Sequence, residues 1–316
     1  MKVIDIINSK RQFPSLEFVP PLKGTDIRKL YANIERLMEF KPPFINVTCH
    51  TDEVKYFENP DGSIARKTIT KRPGTVAIAA AIMKRFDVEV VPHIICAGMN
   101  KWQIENELLD LNFLEINNVM ALRGEAPGGM KRFEAARDGY KYASQLVEQI
   151  ENLNRGKYLD EGLTDPVPTN FCVGVGGYPG KHCEAPNIET DIRNLKKKVD
   201  AGADFVITQM FFDNDSYFNY VSLCRKEGIT VPIIPGLKPL SSVRQLAMIP
   251  KSFSIDIPET LACEMRECST DTAAYECGIE WCIAQSKELL AKGVPAIHYY
   301  TMGRADNIRS VISKTF

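Results

Sequence analysis

The 316-residue chain lacks any apolar run approaching the roughly 20 residues that a membrane-crossing helix needs, and its start, Met1-Lys2-Val3-Ile4-Asp5, has no secretory apolar core. A cytoplasmic protein is expected. It lacks an excess of either charge, since 39 Lys and Arg stand against 40 Asp and Glu for a formal net charge of −1. That balance gives no field to hold nucleic acid or an anionic membrane, and neither is expected as a partner. No Rossmann-type glycine fingerprint is present, so a nicotinamide would have to be held some other way. The nine cysteines are an odd number, spread through a chain that is 44% hydrophobic and able to build its own core, which argues against a disulfide framework. Cys263, Cys268, Cys277 and Cys282 are spaced more widely than zinc knuckles usually are. The stretch from Asp271 reads as a helix with Tyr275, Ile279, Cys282 and Ile283 on one face, so these thiols are expected to be buried small hydrophobes and no metal site is expected.

What is present is an alternation. Short apolar runs stand at residues 15–19, 44–50, 88–96, 119–122, 171–179, 205–212, 230–237 and 295–302. Helical spacing follows each in turn, over 25–40 (capped by Thr25 or Asp26), 75–86, 101–113, 134–153 and 189–201, then after Asp213 and Asp215, from 241 through the cysteine-bearing helix to 291, and over 305–313. Eight such pairs with no break in composition predict one α/β domain over residues 1–316, a (β/α)8 barrel of the TIM type with extra helices. Residues 51–74 are long and polar enough to be an active-site flap. The fourth run, Val119 to Leu122, leads into Arg123, Gly124 and Glu125 and then into Pro127-Gly128-Gly129, which break helix and sheet alike.

In such a barrel the site is built from the C-terminal ends of the strands. Standing there are Glu17, Thr48, His93, Arg123 with Glu125, Tyr178 with His182, Gln209, Lys238 and Arg304, more polarity than packing requires. Glu17 lies within the apolar run Leu16-Glu17-Phe18-Val19-Pro20-Pro21, where a carboxyl must be protonated, partnered or turned to a cavity, unless it faces solvent from an edge strand.

Eight blocks around this ring give the chain its resemblance. They are Leu16-Glu17-Phe18-x-Pro20-Pro21, Ala121-Leu122-Arg123-Gly124, Tyr142-Ala143-Ser144, Tyr178-Pro179-x-x-His182-x-Glu184-Ala185, Leu195-Lys196-x-Lys198-Val199-Asp200-Ala201-Gly202-Ala203, Ile207-Thr208-Gln209-x-Phe211-Phe212-Asp213, Ile233-Ile234-Pro235-Gly236 and Tyr300-Thr301-x-x-Arg304-Ala305. In order and spacing they resemble the catalytic domain of methylenetetrahydrofolate reductase over almost the whole chain. The resemblance implies reduction of 5,10-methylenetetrahydrofolate to 5-methyltetrahydrofolate in one-carbon and methionine metabolism, by hydride from NADH or NADPH passed through non-covalently bound FAD. It also implies a homo-oligomer, with no C-terminal regulatory domain.

Residue by residue, the resemblance places the proton donor on Glu17 and a second catalytic carboxylate, acting jointly at flavin and pterin, on Glu125. The donor's role asks for a general acid of raised pKa, because the bridging methylene accepts hydride only once its ring has opened to an iminium. FAD is implied at Thr48, His93, Arg123, Gly124, Glu125, Tyr142, Ala143, Tyr178, His182, Ala185, Asp191, Asn194 and Lys198, and folate at Glu125, Gln209, Gln245 and Arg304. Two departures from the family pattern stand out: Glu125 replaces the usual aspartate, keeping the charge one methylene further out, and Ile249 stands where relatives often carry a stacking aromatic. The rival readings are a proline dehydrogenase-like FAD barrel, which would not use Gln209 and Gln245, a zinc-thiolate methyltransferase barrel, which would be colourless, and a folate or flavin carrier, which has no need of Glu17.

Overall fold

Eight apolar runs become parallel strands that close on themselves, in the computed structural model that describes residues 1–9, 11–126 and 133–316. The chain begins with α1 (Val3–Asn8), β1 (Phe13–Phe18), α2 (Arg28–Glu35), a short 3-10 turn at Met38–Phe40 and β2 (Phe44–Val47). A hairpin of β3 (Glu53–Glu58) and β4 (Ile64–Ile69) precedes α3 (Thr75–Phe86), β5 (Glu89–Ile95), α4 (Lys101–Phe113) and β6 (Asn118–Leu122). Then follow α5 (Ala143–Asn154), β7 (Cys172–Gly177), α6 (Ile188–Asp200), β8 (Phe205–Met210), α7 (Asn214–Lys226) and β9 (Ile233–Leu237). Three helices in succession, α8 (Gln245–Phe253), α9 (Glu259–Glu267) and α10 (Asp271–Ala291), lead to β10 (Ala296–Tyr300) and α11 (Asp306–Ile312). The barrel order is β1-β10-β9-β8-β7-β6-β5-β2, with β2 pairing back to β1. This is the expected (β/α)8 barrel with extra helices.

Strand alternation sends every second residue into the lumen. Phe13, Phe44, Val91, Met120, Cys172, Phe205, Ile207, Ile234 and Ala296 fill its lower part together with Val3, Ile6 and Ile7 of α1. Val3 N–H donates to Asn118 Oδ1 at the start of β6 (2.8 Å), so α1 is tied across the N-terminal end of the barrel. Gly174 makes this packing possible, because a Cβ there would lie 2.5 Å from the Phe205 ring and 2.8 Å from Met120 Sδ. The outer helices pack the opposite strand faces into the main core. Their starts follow their sequences: Asn100 and Gln103 form a capping box on α4, Asn187 caps α6, Asp213 accepts from Asp215 N–H and Ser216 N–H, and Thr270 caps α10.

Several expectations are corrected. Residues 51–74 are not an irregular polar loop but contain an antiparallel hairpin, whose Val54, Tyr56, Phe57, Ile64 and Ile69 are interrupted by charged residues and stay exposed or half-buried. The helix expected over 134–153 starts only at Ala143, and Tyr142 is its largely exposed N-cap residue (62%). The helix expected over 25–40 shortens to α2 and the 3-10 turn, with Asp26 Oδ1 accepting from Arg28 N–H. The seventh strand starts at Ile233, since Pro232 has no N–H to give a ladder. The break assigned to Pro127-Gly128-Gly129 lies outside the described residues. Among the described residues no helix is long and apolar enough to cross a membrane, and no group of three or more His, Cys, Asp or Glu could hold a metal ion. Cys263 is exposed, Cys268 and Cys277 are half-buried, and Cys282 is buried, so only part of the expectation for these thiols is met.

Candidate active site

Above the apolar plug the lumen turns polar. Ser15, Asn46, His93 and His298 are buried there, and Glu17 stands one step higher on β1, its side chain 13% exposed. Glu17 Oε2 lies 3.4 Å from His93 Nε2 and 3.6 Å from His298 Nε2. Behind them Ser15 Oγ is 2.9 Å from His298 Nδ1, and Asn46 Nδ2 is 3.3 Å from His93 Nε2. Strand register causes this grouping, because β1 pairs Ser15 with His298 and Glu17 with Tyr300 on one side and Glu17 with Asn46 on the other.

Burial pushes the His93 imidazole down to about 4, with the Glu17 carboxylate pulling the other way, so His93 is neutral at pH 7. For Glu17 burial acts upward, but the His298 imidazole and the positive charges that His93, His298 and His50 can carry outweigh it and hold the carboxyl below its usual range. The raised pKa expected of a lone buried acid is thereby corrected. Glu17 is not alone: it is one member of a carboxylate–imidazole cluster in which a proton has three neighbouring seats.

A second cluster lies across the mouth. Arg123, just beyond β6, makes a bidentate pair with Glu184 (Nη1–Oε2 2.6 Å, Nη2–Oε1 2.8 Å) and covers the Phe133 ring at 4.7 Å. Gly124 follows in the left-handed region at φ +81°, and a Cβ there would sit 2.8 Å from Ala97 Cβ, so no other residue fits this turn. Tyr178 and His182 meet edge to face, and His182 N–H donates to Asp191 Oδ2 at 3.0 Å. Lys198, two turns along α6 from Asp191, donates to the Gly176 carbonyl; burial lowers its ammonium to about 8, against the attraction of Asp191. Burial likewise raises Asp191 and pushes Tyr178 up to about 12. Ala185 is buried in the same loop, Asn194 is exposed on α6, and Ala143 opens α5. Cations, a glycine turn and aromatic walls suit the diphosphate and sugar of FAD.

Thr48 Oγ1 lies 3.5 Å from His50 Nδ1 at the end of β2, and Glu125 is exposed beyond β6, where its charge acts on His50 and Tyr178. Gln209 caps its neighbour, with Oε1 accepting from Met210 N–H, while Gln245 at the start of α8 accepts from Ser241 N–H at 2.7 Å. Each amide thus has its NH2 free of that bond. Arg304 is exposed in the loop after β10. Ile249 is 4% exposed and packs with Met210, Phe212 and Leu240, so it points into the core rather than toward a ligand. A cavity of about 410 Å³ opens beside Gln209, walled by Tyr178, Phe212, Phe253, Ile257 and Trp281.

Sequence reading missed His298, Ser15, Asn46 and the Arg123–Glu184 pair. Period-two alternation from Ala296 would have turned His298 inward and marked it beside Glu17. Nothing local pointed to Glu184 as the partner of an arginine 61 residues away.

Comparison with known proteins bears on this geometry. The profile of a family described as methylenetetrahydrofolate reductase matches residues 2–315. A Caenorhabditis elegans protein named probable methylenetetrahydrofolate reductase (NADPH) is 30% identical, over 97% of this chain and 42% of its own length. Methylenetetrahydrofolate reductase (NADH) 1 of Arabidopsis thaliana is 31% identical, over 96% of this chain and 48% of its own length. The chain thus spans a little under half of these eukaryotic relatives, but 86% of the 5,10-methylenetetrahydrofolate reductase of Escherichia coli, with 31% identity over 92% of this chain. Among solved structures, a Clostridium thermocellum protein described as binding two copies of 5-methyl-5,6,7,8-tetrahydrofolic acid superposes with a TM-score of 0.60 at 14% identity, covering 100% of this chain and 98% of that one. That likeness speaks to the fold.

Proposed function

The chain belongs to the methylenetetrahydrofolate reductase family, and we propose that it reduces 5,10-methylenetetrahydrofolate to 5-methyltetrahydrofolate with NADH or NADPH as electron source and non-covalent FAD as carrier. The observation that carries this reading is the acid in the mouth: Glu17 is buried between His93 and His298 at 3.4 and 3.6 Å. A binding protein gains nothing from such a carboxyl, whereas opening the methylene bridge needs a proton delivered in a dry site.

Bound FAD would supply the hydride-accepting and hydride-donating ring. Arg123, His182 and Lys198 would hold its diphosphate, with Arg123 exchanging its Glu184 partner for phosphate oxygens. Gly124 and Ala143 allow close backbone approach, Asp191 and Asn194 suit sugar or ribityl hydroxyls, and Tyr142, Tyr178, Ala185, Thr48 and His93 complete the wall. Gln209 and Gln245 offer amide groups to the pterin edge, Arg304 a cation, and Glu125 a carboxylate to flavin and pterin alike. Glu17 would deliver the proton to the departing folate nitrogen as the ring opens; among the imidazoles its carboxyl sits below the usual range, so bound flavin and folate must raise it, and neutral His93 adds no fixed positive charge to oppose the iminium.

Under this reading residues 1–316 form a single catalytic domain, working in the cytoplasm on one-carbon units for methionine synthesis, as a homo-oligomer. The test is direct. The protein should purify yellow, release FAD on denaturation, be bleached by NADH or NADPH and regain its colour with methylenetetrahydrofolate. FMN in place of FAD, or a reduced flavin that folate fails to reoxidise, would overturn it.

A further inference from the structure

A second cavity, of about 190 Å³, opens between α4 and α5 and shares no lining residue with the site described above. Its walls include the half-buried rings of Tyr140 and Tyr158, the latter fixed by its hydroxyl donating to the Val167 carbonyl at 2.7 Å. Glu105 and Gln149 line it from the buried side, 6% and 4% exposed, and Glu148 and Lys157 stand on its exposed rim. Neither buried side chain has a place in the chemistry above.

The floor is rich in acceptors and short of donors. Gln149 Nε2 donates to the Lys101 carbonyl at 3.0 Å, which fixes the amide's orientation, because the reversed amide would set oxygen against oxygen. Its Oε1 is thereby left buried without a hydrogen-bond partner. Glu105 Oε2 accepts from Leu159 N–H at 3.0 Å, and among the described residues no ion pair engages Glu105 or Glu148, Lys157 included. An ionised carboxylate can accept about four hydrogen bonds, so one backbone donor leaves Glu105 far from satisfied. Burial raises the Tyr140 phenol, and Cys96, Glu148 and Glu105 push it the same way, so both carboxylates lie within electrostatic reach of one hydroxyl. Buried acceptors of this kind are costly to keep without a donor.

We infer that this cavity binds a small organic cation, its ammonium held by Glu105, Glu148 and the Gln149 carbonyl oxygen and its body set against Tyr140 and Tyr158. An ammonium brings three donors and a positive charge, which are what the floor lacks. Aromatic faces add to the attraction for such a cation. A metal ion is a poorer match, since among the described residues no group of three or more His, Cys, Asp or Glu could hold one. Size sets the class of ligand: a cavity of about 150 Å³ takes benzene, so this one has room for a ring of that kind bearing an aminomethyl group. The assignment does not depend on the reaction proposed above.

Calorimetric titration of the protein as purified, with benzylamine and with benzyl alcohol, isolates the charge, because the two probes have nearly the same shape and only the amine is a cation at pH 7. The amine should bind more tightly than the alcohol by about tenfold or more, the usual worth of a hydrogen bond to a charged group. Glu105→Gln keeps the side chain's shape and an acceptor for Leu159 N–H, and it should bring that preference to near unity with the alcohol binding as before. Glu148→Gln, on the rim, should lower the preference by about two- to fivefold, as befits an exposed charge. Should Glu105→Gln fail to fold, Glu148→Gln, an exposed substitution, decides the matter alone. Tyr158→Leu removes a wall and should weaken both probes alike, which places them in this cavity. An amine that binds no better than the alcohol, binding by neither, or a preference that both glutamine variants leave unchanged would mean a cavity that holds only water, and overturns the inference.

Discussion

The same strands build two unlike halves of the barrel lumen, and a step of two residues separates them. β1 passes from Phe13 to Ser15 to Glu17, β2 from Phe44 to Asn46 to Thr48, β5 from Val91 to His93, and β10 from Ala296 to His298 to Tyr300. Below the step the side chains are apolar and plugged by α1; above it they are buried but polar, and Asn46 Oδ1 and His298 Nε2 lack a hydrogen-bond partner. Burial reaches into both, complete at Ser15, Asn46 and His298 as at Phe44 and Phe205, so burial alone does not make a site. What differs is whether it is compensated. The lower half gains free energy from every contact, and the upper half spends some of that gain to hold ionisable groups out of water.

The comparison breaks first at Phe205. Phe205→Ala removes a fully buried ring from the plug and should destabilise the fold by about 3–5 kcal/mol in urea denaturation. Glu17→Gln, two layers higher, should leave unfolding within about 1 kcal/mol of wild type, yet slow reoxidation of reduced flavin by methylenetetrahydrofolate by roughly 10² or more, with flavin reduction by NAD(P)H held within about tenfold. Stopped-flow traces of the two half-reactions decide it. If both fall alike, or if Glu17→Gln unfolds as easily as Phe205→Ala, the upper half is packing and the contrast fails.

Acid sharpens the contrast. His93 in the fold titrates at about 4, below an unfolded value of about 6.5, so the folded state binds fewer protons between those limits. The stability contributed by neutral His93 is present above pH 6.5 and is lost as pH falls toward 4, on the order of 3 kcal/mol in total. Glu17, held below its usual range, adds a loss at lower pH still, as it protonates. His93→Asn should flatten the profile between pH 6.5 and 4 while leaving the Phe205→Ala decrement unchanged across it. Urea midpoints at pH 4.5, 5.5 and 7 measure both.

These halves were not equally legible in the sequence. The plug announces itself, since Phe44-Ile45-Asn46-Val47 or Phe205-Val206-Ile207 reads as buried strand whatever lies opposite, and eight such runs in alternation with helices leave little choice of fold. Glu17 was visible as a carboxyl among apolar neighbours. Its chemistry was not, because the pKa of a buried acid depends on what faces it, and His298 arrives from a strand 281 positions along the chain; the expected upward shift followed burial and left out that partner. The hairpin at β3 and β4 was hidden for the opposite reason. Its exposed strands bury neither face, so the period-two signal is short, Glu53-Val54-Lys55-Tyr56 before Phe57 breaks it, and pairing rather than burial reveals the hairpin.

The smallest effect belongs at Glu125, on the rim where the lumen opens to solvent. Its charge acts on His50 and Tyr178, but the side chain is exposed, and water screens most of what it can do. A carboxylate beside a flavin disfavours the anionic reduced form, and it can accept from the pterin edge. Glu125→Gln should therefore raise the flavin midpoint potential and weaken folate by about two- to fivefold, the worth of an exposed charge rather than a buried one. Glu125→Asp keeps the charge and should remain clearly active. Both shifts should shrink further as salt is raised, whereas the Glu17→Gln defect, set inside the lumen, should be nearly indifferent to it. A loss at Glu125→Gln as large as at Glu17→Gln, and equally insensitive to salt, would place Glu125 within the protected layer and move the boundary between the two halves outward past the end of β6.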